Sequence, residues 1–184
     1  PLTKQEGLQT TKRSRFFYGY IIVLATFFVM VIGVGTFYSY GIFLKPLSAE
    51  FGWTRAMTSG AFTLALLVYG FLGIVAGRLS DRFGSRVVLS VSGFFVGVGY
   101  LLMSQISAIW QLYLFYGVIV ALGTGGGFVP VVSTVARWFV RRRAVMTGIV
   151  LAGVSAATMI MPPIAEWLIS NFGWRLSFVI MGIV

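Results

Sequence analysis

Long stretches without a charged residue leave this chain few possible folds. They cover residues 16–44, 56–77, 87–136 and 144–165. A helix needs about 20 mainly apolar residues to cross the hydrocarbon core of a bilayer. The first, second and fourth stretches each supply one crossing, and the third is long enough for two, separated at the polar residues 104–107.

The pattern predicts five complete transmembrane helices and the start of a sixth. Barrel strands are short and alternate in polarity, which none of these stretches does, so an all-α integral membrane protein is expected. Residues 1–15 are polar and form a predicted tail, and residues 16–184 form the predicted bundle. The expected helices cover about 16–44, 55–77, 86–104, 109–136, 143–167 and 173–184, the last of them truncated.

Composition argues against catalysis. Charged residues make up 10% of the chain, against about a quarter in soluble domains. The sequence has no cysteine and no histidine, and its four acids, Glu6, Glu50, Asp81 and Glu166, all lie away from the middle of a span. We therefore expect no catalytic residues, no metal site and no cofactor, and a protein that is not an enzyme.

The fourteen lysines and arginines are distributed unequally between the two sides of the predicted bundle. Three, Lys45, Arg55 and Arg175, fall on one side. The other eleven share the opposite side: Lys4, Lys12, Arg13, Arg15, Arg78, Arg82, Arg86, Arg137, Arg141, Arg142 and Arg143. Because cytoplasmic loops carry the excess of basic residues, the N-terminus is predicted to be cytoplasmic, in a plasma or inner cell membrane. The net charge of +10 then reflects topology and contact with anionic lipid, and no nucleic-acid partner is expected.

A short internal repeat links two helix ends. Residues 76–86 and 165–175 share the pattern A-x-x-L-x-x-x-F-G-x-R, at positions predicted to lie on opposite sides of the membrane. Inverted three-helix repeats of this kind are typical of transporters. Elsewhere, the predicted topology places four tryptophans, Trp53, Trp110, Trp167 and Trp174, at external ends of helices, where an aromatic belt is expected.

The loop between predicted helices 2 and 3 carries the most specific motif. Residues 77–86, GRLSDRFGSR, resemble the G-x-L-x-D-R-x-G-x-[RK] loop of the major facilitator superfamily. Gly77 permits close helix approach and Gly84 a tight reversal, while Asp81 can pair with cations or lie at a helix N-terminus. The resemblance implies that Gly77, Asp81, Arg82, Gly84 and Arg86 form a cytoplasmic latch between two six-helix halves.

A second segment indicates a particular branch of this superfamily. Residues 136–153, ARWFVRRRAVMTGIVLAG, are similar to the segment that enters helix 5 in monocarboxylate transporters and oxalate:formate antiporters, with Arg141, Arg142, Arg143 and Gly148 as its motif residues. Residues 38–46 and 51–53 resemble the same branch. The resemblance implies the N-terminal six-helix half of a facilitator-type bundle, with the C-terminal half of the same protein as its partner.

Glycines and aromatic residues supply the candidates for the substrate site. The glycine cluster at residues 123–127 is interpreted either as a close helix contact or as a flexible wall beside substrate. Tyr38, Tyr40, Tyr69 and Phe128 present the same choice between packing and substrate contact. Because the resemblance places Tyr38 and Phe128 on helices that line the family's cavity, these two are predicted to bind substrate, and Tyr69 is not selected.

The leading hypothesis is a secondary active transporter of a small organic anion, such as a monocarboxylate, oxalate or formate, working by alternating access. A carboxylate in a low-dielectric cavity needs a cation or several hydrogen-bond donors, and no span offers a central cation. The anchoring charge is therefore expected from a C-terminal half beyond this sequence. The alternatives are transport of another small solute, a six-helix protein that dimerises, or a membrane receptor or scaffold that does not transport.

Overall fold

The computed structural model describes the backbone of residues 18–138 and 143–184, and side chains within 21–136 and 144–184. Every regular element in these ranges is helical, which confirms the all-α prediction. The elements are α1 (Tyr18–Tyr38), α2 (Tyr40–Phe51), α3 (Arg55–Phe83), α4 (Ser85–Met103), α5 (Ile109–Leu112), a π-helical segment (Tyr113–Val120), α6 (Ala121–Trp138) and α7 (Arg143–Ile183). Within the described ranges, five stretches of helix are long and apolar enough to cross a membrane.

The first span is divided at Ser39 into α1 and α2. The Ser39 hydroxyl donates to the Gly35 carbonyl at 2.7 Å, and the Ile42 amide donates to the Ser39 carbonyl, a tighter spacing than that of an α-helix. The helix continues past residue 44, where the sequence predicts its end. A charged residue at position 45 is compatible with helix there, because the long side chain of exposed Lys45 can reach water from the end of a span. It ends at Gly52, whose φ of 67° is left-handed.

The fourth span contains a π-helical segment between α5 and α6. In a π-helix the hydrogen bonds run one residue further than in an α-helix, which changes the angular position of every following side chain. The segment carries Tyr116 and Gly117, both buried. The interruption before this span, from the end of α4 at Met103 to Ile109, coincides with the polar break predicted at residues 104–107.

Glycines terminate helices at both ends of the internal repeat. α3 ends before Gly84, which has φ 86° and ψ 145°, and α7 is interrupted at Gly173, which has φ 77° and ψ 163°. The alanines that open the two copies, Ala76 and Ala165, are both buried. The two glycines of the repeated pattern thus have similar backbone angles, one between α3 and α4 and the other within α7.

We predict that Gly84→Ala and Gly173→Ala destabilise the protein by similar amounts. Both glycines have backbone angles that a residue with a Cβ adopts only at a cost of about 1–3 kcal/mol. Thermal unfolding of the purified protein in detergent measures the effect. Gly70→Ala is the control, because Gly70 is helical and a methyl group there meets no atom within 4 Å. Unchanged melting temperatures for both variants would show that neither turn depends on glycine.

The bundle is held together by close contacts at glycine. A methyl group on Gly123 would lie 2.6 Å from the Ser92 carbonyl oxygen and the Val96 amide nitrogen of α4. On the neighbouring face of α6, a methyl group on Gly125 would lie 2.9 Å from the Tyr69 carbonyl oxygen of α3. At these two positions the glycine cluster therefore serves close packing, the first of its two interpretations.

A polar contact joins α2 to the residues that follow Gly173. The Glu50 carboxylate accepts hydrogen bonds from the Trp174 indole at 2.5 Å and from the Arg175 guanidinium at 2.8 Å. Trp174 is 7% exposed, so it is a packed residue and the belt prediction is wrong for it. Trp110 and Trp167, by contrast, are 61% and 60% exposed, as interfacial residues would be.

Candidate functional site

The predicted substrate residue Tyr38 lies at the end of α1 on an open face of the bundle. Its side chain is 45% exposed although it lies near the middle of the first span, Ile21–Phe51. The ring packs edge-on against Phe37 at 5.6 Å between centroids and against Phe62 of α3 at 6.4 Å. The aromatic contacts hold the ring, and the hydroxyl has no hydrogen-bond partner among the described residues.

Behind Tyr38 lies an aromatic cluster contributed by α1, α2, α3 and the π-helical segment. Its members are Phe37, Tyr38, Tyr40, Phe62, Tyr69 and Tyr116. Tyr40 and Tyr116 stack at 4.0 Å, and Phe37 stacks on Tyr116 at 5.6 Å. The hydroxyls of Tyr40 and Tyr116 donate to the carbonyls of Thr58 and Phe37, at 2.9 and 2.7 Å. The cluster is therefore a rigid support for its exposed members.

The second predicted substrate residue, Phe128, lies on a different surface. It lines a cavity of about 230 Å³ between α1, α4, α6 and the last residues of α7. The walls are mainly apolar, and the hydroxyls of Thr36 and Thr124 donate to the carbonyls of Ile32 and Val120 within their own helices. Those two hydroxyls are therefore already satisfied, and the Ser92 hydroxyl is a further polar group in the cavity wall.

Tyr38 and Phe128 are not in direct ring contact, and Tyr69 of α3 lies between them. The Tyr69 ring packs against Phe128 at 6.3 Å and stacks on Phe37 at 5.8 Å, and Phe37 in turn contacts Tyr38. Tyr69 is partly exposed and lies at the middle of the second span, Arg55–Phe83. From the sequence alone, Tyr69 is not predicted to bind substrate.

The loop motif occupies the junction of α3 and α4. A methyl group on Gly77 would lie 3.5 Å from the Val129 side chain, so α3 approaches α6 closely there. Asp81 lies in the last turn of α3, and the first turn of α4 has no acidic residue. The Asp81 carboxylate therefore does not lie at a helix N-terminus. Arg82 lies over the Phe83 ring at 5.5 Å, Gly84 makes the reversal, and Arg86 is exposed at the start of α4.

The predicted helix-5 entry motif is only partly visible. Arg141 and Arg142 lie outside the described residues, and Arg143 begins α7. Gly148 is exposed on α7, and a methyl group there would meet no atom within 4 Å. Gly148 is therefore not a helix contact within the part of the chain that the structure describes.

Chemically, the open face offers aromatic rings and neutral hydroxyls. Within the described side chains, charged residues lie towards the ends of the spans, and no group of acids or other ligating side chains could hold a metal ion. Such a surface can pack against apolar groups and donate hydrogen bonds, but it cannot neutralise a charge.

A bundle of apolar, membrane-length helices is the architecture of a multi-pass membrane protein. The model of the family described as Major Facilitator Superfamily matches residues 11–184. The chain belongs to this superfamily.

Curated relatives of the chain are named as monocarboxylate transporters. It is 30% identical to monocarboxylate transporter 13 of Bos taurus over 158 residues, which cover 86% of this chain and 37% of the relative. It is 30% identical to monocarboxylate transporter 11 of Mus musculus over 167 residues, covering 91% and 37%, and 28% identical to monocarboxylate transporter 2 of Mus musculus over 169 residues, covering 90% and 34%. The chain thus spans about a third of the length of these relatives.

Proposed function

We propose that the chain is part of a secondary active transporter for a small organic anion, such as a monocarboxylate, oxalate or formate. The observation that carries the proposal is the similarity to monocarboxylate transporters over about nine-tenths of the chain. The open aromatic face around Tyr38 supports it, because transporters of this kind bind substrate near the membrane midplane. Tyr38 is proposed as a substrate contact on this basis, and Phe128 is proposed with it because its ring packs against Tyr69 of the aromatic cluster.

The remaining functional assignments belong to the same proposal. The chain forms the N-terminal half of the transporter in a plasma or inner cell membrane, with its N-terminus in the cytoplasm. Gly77, Asp81, Arg82, Gly84 and Arg86 latch it to the C-terminal half on the cytoplasmic side, and Arg141, Arg142, Arg143 and Gly148 form the entry to the fifth span. Because the open face has no cation among the described side chains, the group that neutralises the carboxylate comes from the other half.

Uptake into proteoliposomes tests the transport proposal. With the protein expressed from its complete gene, we expect saturable uptake of at least one of labelled lactate, pyruvate, formate or oxalate. Uptake should accelerate when the same unlabelled anion is loaded inside, because alternating access couples the two directions. Protein-free vesicles and labelled glucose are the controls.

Two outcomes would contradict the proposal. Uptake of glucose or another neutral solute without uptake of any anion would favour a facilitator with a different substrate. Stabilisation of the protein by an anion in thermal unfolding, with no flux of that anion, would favour a receptor or scaffold.

A further inference from the structure

The tyrosine hydroxyls of the described spans fall into three groups. Those of Tyr40, Tyr113 and Tyr116 donate to backbone carbonyls of neighbouring helices, at 2.7–2.9 Å. That of Tyr100 is enclosed without a partner, in a side chain only 1% exposed. Those of Tyr38 and Tyr69 form no hydrogen bond within the described residues, yet both side chains are accessible.

The position of the two accessible hydroxyls makes their lack of partners informative. Tyr38 and Tyr69 lie near the middle of the first and second spans, where hydrocarbon surrounds the outside of a bundle. A hydroxyl moved from water to an apolar environment without a hydrogen bond costs roughly 2–7 kcal/mol. A mid-span phenol therefore points to a polar interior or a ligand, and not to lipid.

Tyr69 is held in place from two sides. Gly125 of α6 brings that helix against the Tyr69 backbone, and Phe37 stacks on the ring at 5.8 Å. Phe37 is 1% exposed, and its carbonyl accepts the Tyr116 hydroxyl. Phe37 also contacts the Tyr38 ring, at 5.6 Å between centroids. One buried ring, that of Phe37, thus contacts both accessible tyrosines near the middle of their spans.

We propose that Tyr69 is a substrate-binding residue and that its hydroxyl, together with that of Tyr38, donates hydrogen bonds to one carboxylate of the transported anion. The inference rests on the proposed function and adds a second binding residue to it. Two neutral donors orient the carboxylate, and a cation outside the described residues neutralises its charge. Phe62, which packs against Tyr38, provides an apolar surface for the rest of a small substrate.

Conservative substitutions test the pair without removing the rings. In proteoliposomes containing the protein from its complete gene, we expect Tyr69→Phe and Tyr38→Phe each to raise KM for the transported anion about tenfold, with the amount of folded protein unchanged. The size follows from loss of a hydrogen bond to a charged group, for which about 1.4 kcal/mol is a tenfold change.

Tyr113→Phe is the matched control. The Tyr113 hydroxyl donates to the carbonyl of Met57, which lies on α3 as Tyr69 does but outside the aromatic cluster. It should leave KM unchanged. An unchanged KM for Tyr69→Phe, alongside anion uptake by the wild-type protein, overturns the role of Tyr69 and leaves the proposed function standing. An equal rise in KM for Tyr113→Phe and Tyr69→Phe also overturns the role of Tyr69. The effect would then follow from loss of any tyrosine hydroxyl beside α3 and not from loss of a contact with substrate.

Failure of the proposed function gives a different result. If the wild-type protein carries a neutral solute and no anion, the carboxylate assignment is overturned, and a raised KM for that solute in Tyr69→Phe alone still supports Tyr69 as a substrate contact. A wild-type protein that carries no solute of either kind overturns both proposals.

Discussion

Tyr116→Ala is expected to lower the free energy of unfolding by about 2–4 kcal/mol. The side chain is completely buried, stacks on Tyr40 at 4.0 Å and donates a hydrogen bond to the Phe37 carbonyl at 2.7 Å. Comparable large-to-small changes cost about 3–5 kcal/mol in soluble cores. Part of that cost in soluble proteins comes from exposing the side chain to water. In a membrane the separated helices are exposed to lipid and not to water, so we expect a smaller loss.

Reversible unfolding in bicelles by sodium dodecyl sulfate measures this change. Leu114→Ala is the control on the same π-helical segment, because Leu114 is 43% exposed and leaves no internal cavity. Tyr116→Phe keeps the ring and loses only the hydroxyl, for which a loss of about 1 kcal/mol is expected. If Tyr116→Ala were no less stable than Leu114→Ala, the aromatic cluster would not be the support that we describe.

Gly123→Ala is the second large expected effect. The added methyl group would lie 2.6 Å from two backbone atoms of α4, and backbone cannot move aside as a flexible side chain can. Overpacking of this kind costs about 1–3 kcal/mol, and here α6 and α4 must separate to relieve it. We therefore expect a lower free energy of unfolding in the same assay.

The control is one turn away on the same helix. At Gly127 a methyl group would make ordinary contacts, 3.7 Å from the Ser92 side chain. Since alanine favours helix over glycine by about 1 kcal/mol, Gly127→Ala should be neutral or stabilising. Equal destabilisation by both substitutions would mean that this stretch is sensitive to side chains in general and not to the contact at Gly123.

The sequence predicts the spans well because a bilayer imposes their length and polarity residue by residue. The turns at Gly84 and Gly173 could be predicted too, since the repeated pattern carries the residue that a left-handed conformation needs. The break at Ser39 and the π-helical segment could not, because both depend on how neighbouring helices pack and leave hydropathy unchanged.

The candidate site is less readable from the sequence because it depends on the direction in which side chains point. Tyr38 and Tyr40 are two residues apart, yet one is 45% exposed and the other 2%. The sequence does not single out Tyr69, because its position between Phe37 and Phe128 follows from the contact at Gly125, which joins residues far apart in sequence. Likewise, nothing local predicts the bond between Glu50 and Trp174, which are 124 residues apart.

The break at Ser39 lets the first span pack against two successive stretches of helix, one on each side of Gly173. α1 packs on α7 before Gly173, where Gly35 leaves room for Met161, whereas α2 packs after it, where Phe43 stacks on Phe178 at 4.1 Å. Gly173 separates the helix that packs on α1 from the helix that packs on α2, so the first span is in contact with both. A change in the angle between α1 and α2 at Ser39 would therefore alter the packing on both sides of Gly173.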